Sequence, residues 1–485
     1  MIEASGVSSG RTTATAERLA VAVAYVVLAA LLALTRLAGL DRSFWHDELF
    51  AVEAYVREGL GQILAGGVNH ELHSLLAWAV GSAVGESEAA YRLLSVVPFL
   101  AGSALVTAWL HLRFGPPAGL VFLFLATVSP LLVDITRQAR GYGLAWLAMS
   151  VLVVAAVETD RRPRPWLVVA MCAAGVAGTI TLPHFAIAFV VAALALLARR
   201  ELRRQVAIGL GISLLAVAAF YAPQLGDLTT SSEVEYGVQV PASWVLTAPV
   251  DQILVPAFLW IDGTVLVPGL VWLPVVGLAV LLMWPSPLLR APAPATIVLA
   301  PPVATMVVFW AADLYSVPRY LSFLLVPLLV LVATGAGCAL TRRRGHAHLA
   351  VSAVALVVLA LVAARSAELV PDVVRLPREA HRDAAELVEE RAPANARIYV
   401  YAHQPRGVAF YLDRPVVALE ADEVAASVCG RPWPVAYVTQ PFVVPPVDVP
   451  CLRAPGAVRH TFRQYTRGDR IDVWLVPAAA ASSAG

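Results

Sequence analysis

Long apolar runs broken by short polar ones fill the first three quarters of the chain. They fall at about 19–40, 90–112, 117–134, 140–157, 166–181, 184–198, 206–223, 264–284, 295–313, 320–340 and 348–364. Each approaches the length that crosses about 30 Å of hydrocarbon. A helix satisfies its own backbone hydrogen bonds in lipid, so the pattern predicts about eleven transmembrane helices. The first run is long and no small-residue cleavage site follows it, so it reads as an anchor and not as a cleaved leader. Beyond residue 364 the texture changes. Arg378–Arg391 reads as an amphipathic helix and Arg397–Ala402 as a strand. A short helix around Gly407–Leu412 follows, with further strands near Val435–Thr439 and Arg470–Val476.

Arginine supplies the expected orientation. With the N-terminus inside, the inner loops carry Arg161, Arg162 and Arg164, then Arg199, Arg200, Arg203 and Arg204, then Arg290, then Arg342, Arg343 and Arg344. The loop 224–262, outside by this count, holds Asp227, Glu233, Glu235, Asp251 and Asp262 and no arginine. The positive-inside rule is met at nearly every loop, whereas one miscounted helix would invert everything after it. The expected product is a multi-pass protein of the plasma (inner) membrane. It has a cytoplasmic tail 1–18, a transmembrane domain 19–364 with outer loops 41–89 and 224–262, and a small extracytoplasmic α/β domain 365–485.

Composition narrows the function classes. The 485 residues are 59% hydrophobic and only 14% charged, and the mean hydropathy is +0.73. A soluble domain carries about a quarter charged residues, so most of this chain faces lipid or other membrane helices. A net charge of +1 argues against a nucleic-acid partner. All 35 basic residues are arginine, so a P-loop, which needs lysine, is absent. Cys172 and Cys338 sit in apolar runs. Cys429 and Cys451 lie in the polar tail, where an oxidising compartment would let them form a disulfide. Two unpaired small core residues are the other reading.

Several polar residues stand out against this background. Ser43-Phe44-Trp45-His46-Asp47-Glu48 directly follows the first span, with Trp45 suited to an interfacial position. Neighbours on a helix point about 100° apart, so Asp47 and Glu48 would not share one task. One would serve as a general base while the other holds the loop or a divalent metal; a solvated acidic loop is the plainer reading. Asn69-His70-Glu71-Leu72-His73 is one residue short of the zinc motif HExxH. Its histidines read as cavity-lining groups, as surface residues, or as metal ligands. Arg92, Arg137, Arg140 and Arg319 sit at helix ends on the expected outer side. Guanidinium forks there suit a lipid phosphate; equally, they would pair with the acids of the outer loops.

Taken in order, these pieces resemble the GT-C class of membrane glycosyltransferases. More closely, they resemble the bacterial branch related to protein O-mannosyltransferases and lipid A aminoarabinose transferases (glycosyltransferase family 39-like). The pieces are Trp45-His46-Asp47-Glu48 after the first span, Tyr91-Arg92-Leu93-Leu94-Ser95, Arg140-Gly141-Tyr142, and Pro318-Arg319-Tyr320 with Pro327. Where many members have His-Pro-Pro, this chain has His70-Glu71-Leu72. The resemblance implies an inverting transferase that takes mannose or a similar sugar from a polyprenyl-phosphate donor. The acceptor would be an extracytoplasmic glycan, lipid or protein hydroxyl. It also implies Asp47 as base with Glu48 in support, and Arg140, Arg319, Tyr320, Arg92 and Arg137 on the lipid phosphate. His46, His70, His73 and Tyr142 would line the acceptor side.

Two other classes compete. A transporter or flippase also has many spans and charges at membrane depth, but it commonly shows internal repeats, and none is evident here. A scaffold displaying the C-terminal domain gives no reason for Asp47-Glu48 or the interfacial arginines.

Overall fold

The structure, a computed structural model, describes residues 8–66, 70–224, parts of 238–259, 272–341 except 313 and 317, 346–376, 379–402, 405–429, 433–440, 447–464 and 470–478. Most of the expected outer loop 224–262 and the start of the run 264–284 therefore lie outside the described residues.

The apolar runs are helical. In chain order the N-terminal half gives α1 (Ser8–Leu37), α2 (His46–Ala51), α3 (Leu60–Ala65), α4 (Glu71–Val84), α5 (Glu88–Phe114), α6 (Pro116–Val128), α7 (Pro130–Ile135), α8 (Tyr142–Arg161), α9 (Pro165–Thr181), α10 (Phe185–Leu197) and α11 (Arg203–Tyr221). The described remainder of the membrane part gives α12 (Val255–Leu259), α13 (Trp272–Met283), α14 (Pro292–Ala311), α15 (Leu325–Thr341) and α16 (His346–Arg375). Among the described residues seven helices are long and apolar enough to cross a membrane, fewer than the eleven expected. Three of the four others are short: α6, α9 and α10 are apolar but have only 13, 17 and 13 residues, and the fourth run, 264–284, is described only from Trp272.

Punctuation explains the breaks. Ser87 caps α5 by accepting from Ala90 N. The helix ends at Gly115, whose φ of +90° favours glycine, and Pro116 opens α6 at once. Ser129 with Pro130 repeats the device between α6 and α7, the Ser129 side chain accepting from Leu132 N.

The core forms around α8 and α15. The hydrophobic window containing α15 is 89% buried, against 6% for α1, so α15 is central and α1 faces lipid. Close approach relies on glycine: a Cβ on Gly143 would sit 1.8 Å from the Ser95 carbonyl of α5, and one on Gly335 would sit 1.9 Å from Leu282 O of α13. At one end of the bundle Glu158 of α8 takes Arg113 in a salt bridge and Trp109 Nε1 at 2.8 Å. At the other end lie α2, α3 and α4.

The last membrane helix runs beyond the expected boundary at residue 364, to Arg375. Polar Arg365, Glu368 and Asp372 suggest an end there. Val370, Val373 and Val374 nevertheless continue the apolar face, and Val373 packs on Val133 of α7. The C-terminal region then folds as α17 (His381–Arg391), α18 (Pro405–Ala409) and α19 (Val424–Cys429) around a five-stranded sheet. A two-stranded pair, β1 (Val238–Gln239) and β2 (Tyr315–Ser316), stands apart from it. The sheet contains β3 (Arg397–Tyr401), β4 (Val416–Ala418), β5 (Val435–Thr439), β6 (Val458–Arg463) and β7 (Arg470–Val476), in the order β4-β3-β5-β7-β6. β3 pairs in parallel with β4 and β5; β7 is antiparallel to β5 and β6. α17 covers one face with Ala384, Ala385 and Val388 over Ile398, Val400 and Val438. The other face holds Tyr399, Tyr437 and the disulfide Cys429–Cys451.

Candidate active site

Several arginines donating to carbonyls help hold the turn after α1. Arg36, itself buried, donates to Ala126 O and Thr127 O at 2.6 and 2.8 Å. Arg137 reaches Ala38 O and Val373 O. Arg92 donates to Leu40 O, Arg42 O and Ser43 O. A guanidinium offers five donors in a rigid fork, so each one ties several points of an irregular segment that has no ladder of its own.

That turn delivers α2, and its helical geometry sends Asp47 and Glu48 in different directions. Glu48 is fully buried. It closes a capping box onto Trp45 N at 3.1 Å and receives Arg92 on both oxygens, Nε at 3.0 Å and Nη2 at 2.6 Å. Ala139 N donates to it as well. A void of about 40 Å³ beside this pair, walled by Asp134, Arg137 and Gln138 among others, has room for water and little else. Glu48 thus binds the turn that carries it, Arg92 and Ala139 N. Arg92, expected on the lipid phosphate, points instead into Glu48 and three carbonyls. Arg137 likewise reaches backbone carbonyls of α16 and of the turn.

Asp47 sits in a cluster of cations. Its Oδ1 lies 3.0 Å from His46 Nε2 and its Oδ2 lies 3.1 Å from Arg319 Nη2, while Arg140 Nη1 donates to its backbone carbonyl at 3.0 Å. The Arg319 contact is an ion pair by distance, although its angle does not meet hydrogen-bond geometry. Burial alone would raise the Asp47 carboxyl. The His46 hydrogen bond and the charges of Arg140 and Arg319 outweigh it and hold the group below the ordinary carboxylate range. His46 has carboxylates on both ring nitrogens, Asp47 on one and Glu379 Oε1 at 2.9 Å on the other. Burial opposes its charge, but these two partners push its pKa up to about 9. Trp45, expected at a lipid interface, is buried: Arg319 lies over its ring at 5.1 Å and His46 packs edge-on at 4.6 Å.

Aromatic groups form the floor. Arg319 also lies over Tyr320 at 5.3 Å; His70 packs edge-on to Tyr142 at 4.8 Å, and Tyr320 lies 6.5 Å from each. His70 is buried with neither ring nitrogen hydrogen-bonded. Burial, reinforced by the Arg140 charge, drives its pKa well below the ordinary value, so the ring is neutral. His73 donates to Tyr91 O at 3.2 Å, and burial pushes its pKa down to about 4. Glu71, between them in sequence, is pushed up to about 8 by burial, opposed by its hydrogen bonds. The Tyr221 hydroxyl lies 2.9 Å from Thr179 O and 3.5 Å from Glu71 Oε2, the two acceptors open to its proton. Among the described residues no three His, Cys, Asp or Glu side chains are grouped as a metal would need.

Asp47, His46, Arg140, Arg319, Tyr320, Tyr142 and His70 are thus brought together; Arg92, Arg137 and His73 serve the surrounding framework. Glu379 escapes sequence reasoning, because it follows the last membrane helix and lies 333 residues from His46. The one local signal is His381 two positions later, whose Nε2 lies 2.7 Å from Glu379 Oε2. Between α2 and α18 a cavity of about 430 Å³ opens beside His46, with Phe50, Glu53, Glu58 and Arg406 on its walls.

The helical bundle with its small α/β domain has the fold of a solved structure. The chain is similar to the crystal structure of ArnT from Cupriavidus metallidurans in the apo state. The TM-score is 0.53 at 14% identity, covering 97% of this chain and 99% of that one. Similarity to the same protein bound to undecaprenyl phosphate gives 0.52 at 15% identity, covering 96% and 98%. A weaker likeness, TM-score 0.47 at 14% identity, extends over 95% of this chain and 40% of the arabinofuranosyltransferase AftD from Mycobacteria. No family model and no curated protein sequence matches the chain.

Proposed function

We propose that this protein is an inverting glycosyltransferase that moves a sugar, mannose or similar, from a polyprenyl-phosphate donor to a hydroxyl outside the cytoplasm. Asp47 is the general base. The observation that carries this reading is Asp47 itself, a carboxylate held between Arg319 and His46, with Arg140 on its carbonyl, at one end of a GT-C bundle. The fold likeness to an ArnT structure bound to undecaprenyl phosphate supports the donor class.

The acceptor hydroxyl attacks the anomeric carbon and gives its proton to Asp47. The bond from that carbon to the phosphate oxygen breaks, and its electron pair leaves on the polyprenyl phosphate. The transition state resembles an oxocarbenium ion, and Arg140 and Arg319 offset the charge growing on the leaving oxygen. With Arg319 on its carboxylate, Asp47 is a weak base. A phosphate ester competes for Arg319, and drawing that arginine away raises the basicity of Asp47 as the acceptor arrives, although His46 and Arg140 still lower it. The donor therefore binds first. The cavity beside His46 gives a glycan, lipid or protein acceptor its approach.

The test compares purified wild type with Asp47→Asn, each incubated with labelled polyprenyl-phosphate sugars and membrane extract. Transfer by wild type alone supports the reading, and the preferred donor names the sugar. No consumption of any lipid-linked donor by folded wild type overturns it.

A further inference from the structure

We propose that Glu379 is a positioning residue for Asp47, acting through His46, so that the polar segment after the last membrane helix completes the active site. Its catalytic consequence rests on the function proposed above; its structural part does not.

The geometry is a chain of three side chains. Glu379 Oε1 lies 2.9 Å from His46 Nδ1, and His46 Nε2 lies 3.0 Å from Asp47 Oδ1. The other Glu379 oxygen accepts from the His46 backbone N at 2.8 Å and faces His381 Nε2 at 2.7 Å. Glu379 therefore grips the first residue of α2 through both ring and backbone. Turning the imidazole would break its contacts at both nitrogens together, so the carboxylate on one side sets the direction of the other nitrogen. Asp47 is held by His46 on Oδ1 and by Arg319 on Oδ2. Once a donor phosphate draws Arg319 off, His46 alone keeps the carboxylate aimed, and Glu379 keeps His46 aimed.

The surroundings of His46 explain why Glu379 matters to its charge. Asp47 faces it from α2 and Glu379 from the segment before α17. Arg140 and Arg319 lie beyond Asp47, and His381 beyond Glu379. Glu53, Glu58 and Arg406 share the cavity wall with it. With two carboxylates in contact the ring stays an imidazolium whose two N–H groups both donate. Without Glu379 it loses one partner and gives up its proton at lower pH. The neutral ring can then present a lone pair to Asp47 Oδ1, and the clamp opens.

The experiment uses full-length protein in detergent, comparing wild type, Glu379→Gln and His46→Gln. It reads transfer rate at saturating donor and thermal midpoint, each across pH. Expected is a lower rate for Glu379→Gln at every pH, with the alkaline limb moved acidward by at least about one pH unit and donor KM little changed. The thermal midpoint supplies a readout that needs no substrate. A pKa raised in the folded state contributes stability below the unfolded value and loses it as pH rises through the folded value. The midpoint gap between wild type and Glu379→Gln is therefore widest at mildly acidic pH and closes as pH rises through about 9. A rate loss uniform in pH, or a gap of constant size, overturns the proposal and leaves Glu379 a packing residue. If Glu379→Gln does not fold, His46→Gln carries the test, because its profile must lose the alkaline limb altogether. Wild type that transfers nothing from any polyprenyl-phosphate sugar removes the function proposed above, and the midpoint gap then judges the His46–Glu379 coupling alone.

Discussion

Asp47 and Glu48 are neighbours in sequence and opposites in environment. Glu48 is buried, takes both arms of Arg92, and adds two backbone donors, so nothing is left for a substrate. Asp47 has one oxygen on a histidine and the other on an arginine that lies over Trp45 and Tyr320. One carboxylate is saturated by groups that have nowhere else to go. The other is held in part by Arg319, which, on the function proposed above, an incoming phosphate draws away. The contrast teaches that an acid pair at a membrane surface divides into a frame and a tool, and that the divergence of adjacent helical positions makes the division.

The largest test of this contrast is at the tool. Asp47→Asn keeps size and removes the base, so transfer falls by about 10²–10⁴-fold while the thermal midpoint stays near wild type. An Asn variant with normal turnover would end the assignment. At the frame the effect reverses: Arg92→Met leaves Glu48 buried without its guanidinium partner, and costs about 3–5 kcal/mol of stability. Unfolding in detergent measures it, and a loss below about 1 kcal/mol would mean that Glu48 is not the buried anchor described. Arg319→Ala slows transfer by about 10²-fold and weakens competition by free undecaprenyl phosphate, in the way lost oxyanion donors do. Unchanged inhibition by that lipid would detach Arg319 from the phosphate. The smallest effect sharpens the frame further. Glu71 is raised to about 8, so its contribution is full below the ordinary carboxylate range and declines as pH rises through about 8. Glu71→Gln should flatten that part of the stability–pH curve, by at most about 1.4 kcal/mol per pH unit. A curve identical to wild type would place the titration elsewhere.

Hydropathy made the bundle legible, because lipid tolerates so few backbone solutions that an apolar run declares its helix. It misjudged the length of α16, where polar Arg365 and Glu368 mask an apolar stripe that continues to Val374. In the C-terminal domain β5 and β7 are readable as apolar strands, and β5 is buried throughout. β4 and β6 are edge strands; β6 reads Val-Arg-His-Thr-Phe-Arg and leaves four of its six positions exposed, so its sequence carries little alternation. The site divides similarly. Asp47, Arg140 and Arg319 stand out as charges at helix ends. The true duty of Arg92 could not be read, because a guanidinium that binds phosphate and one that binds a carboxylate look alike in sequence.

The segment carrying Asp47 is latched by residues far along the chain: Arg42 to Leu376 O, Ser43 to Glu379 O and Phe44 N to the Tyr411 hydroxyl. These partners are 334, 336 and 367 positions away. Synthesis runs from the N-terminus, so the ribosome makes Asp47 early and its clamp late. A chain that is stalled or cut before residue 376 has inserted most of its helices but lacks all three of these latches on the turn. On the function proposed above, the order of manufacture would keep an unfinished copy inert.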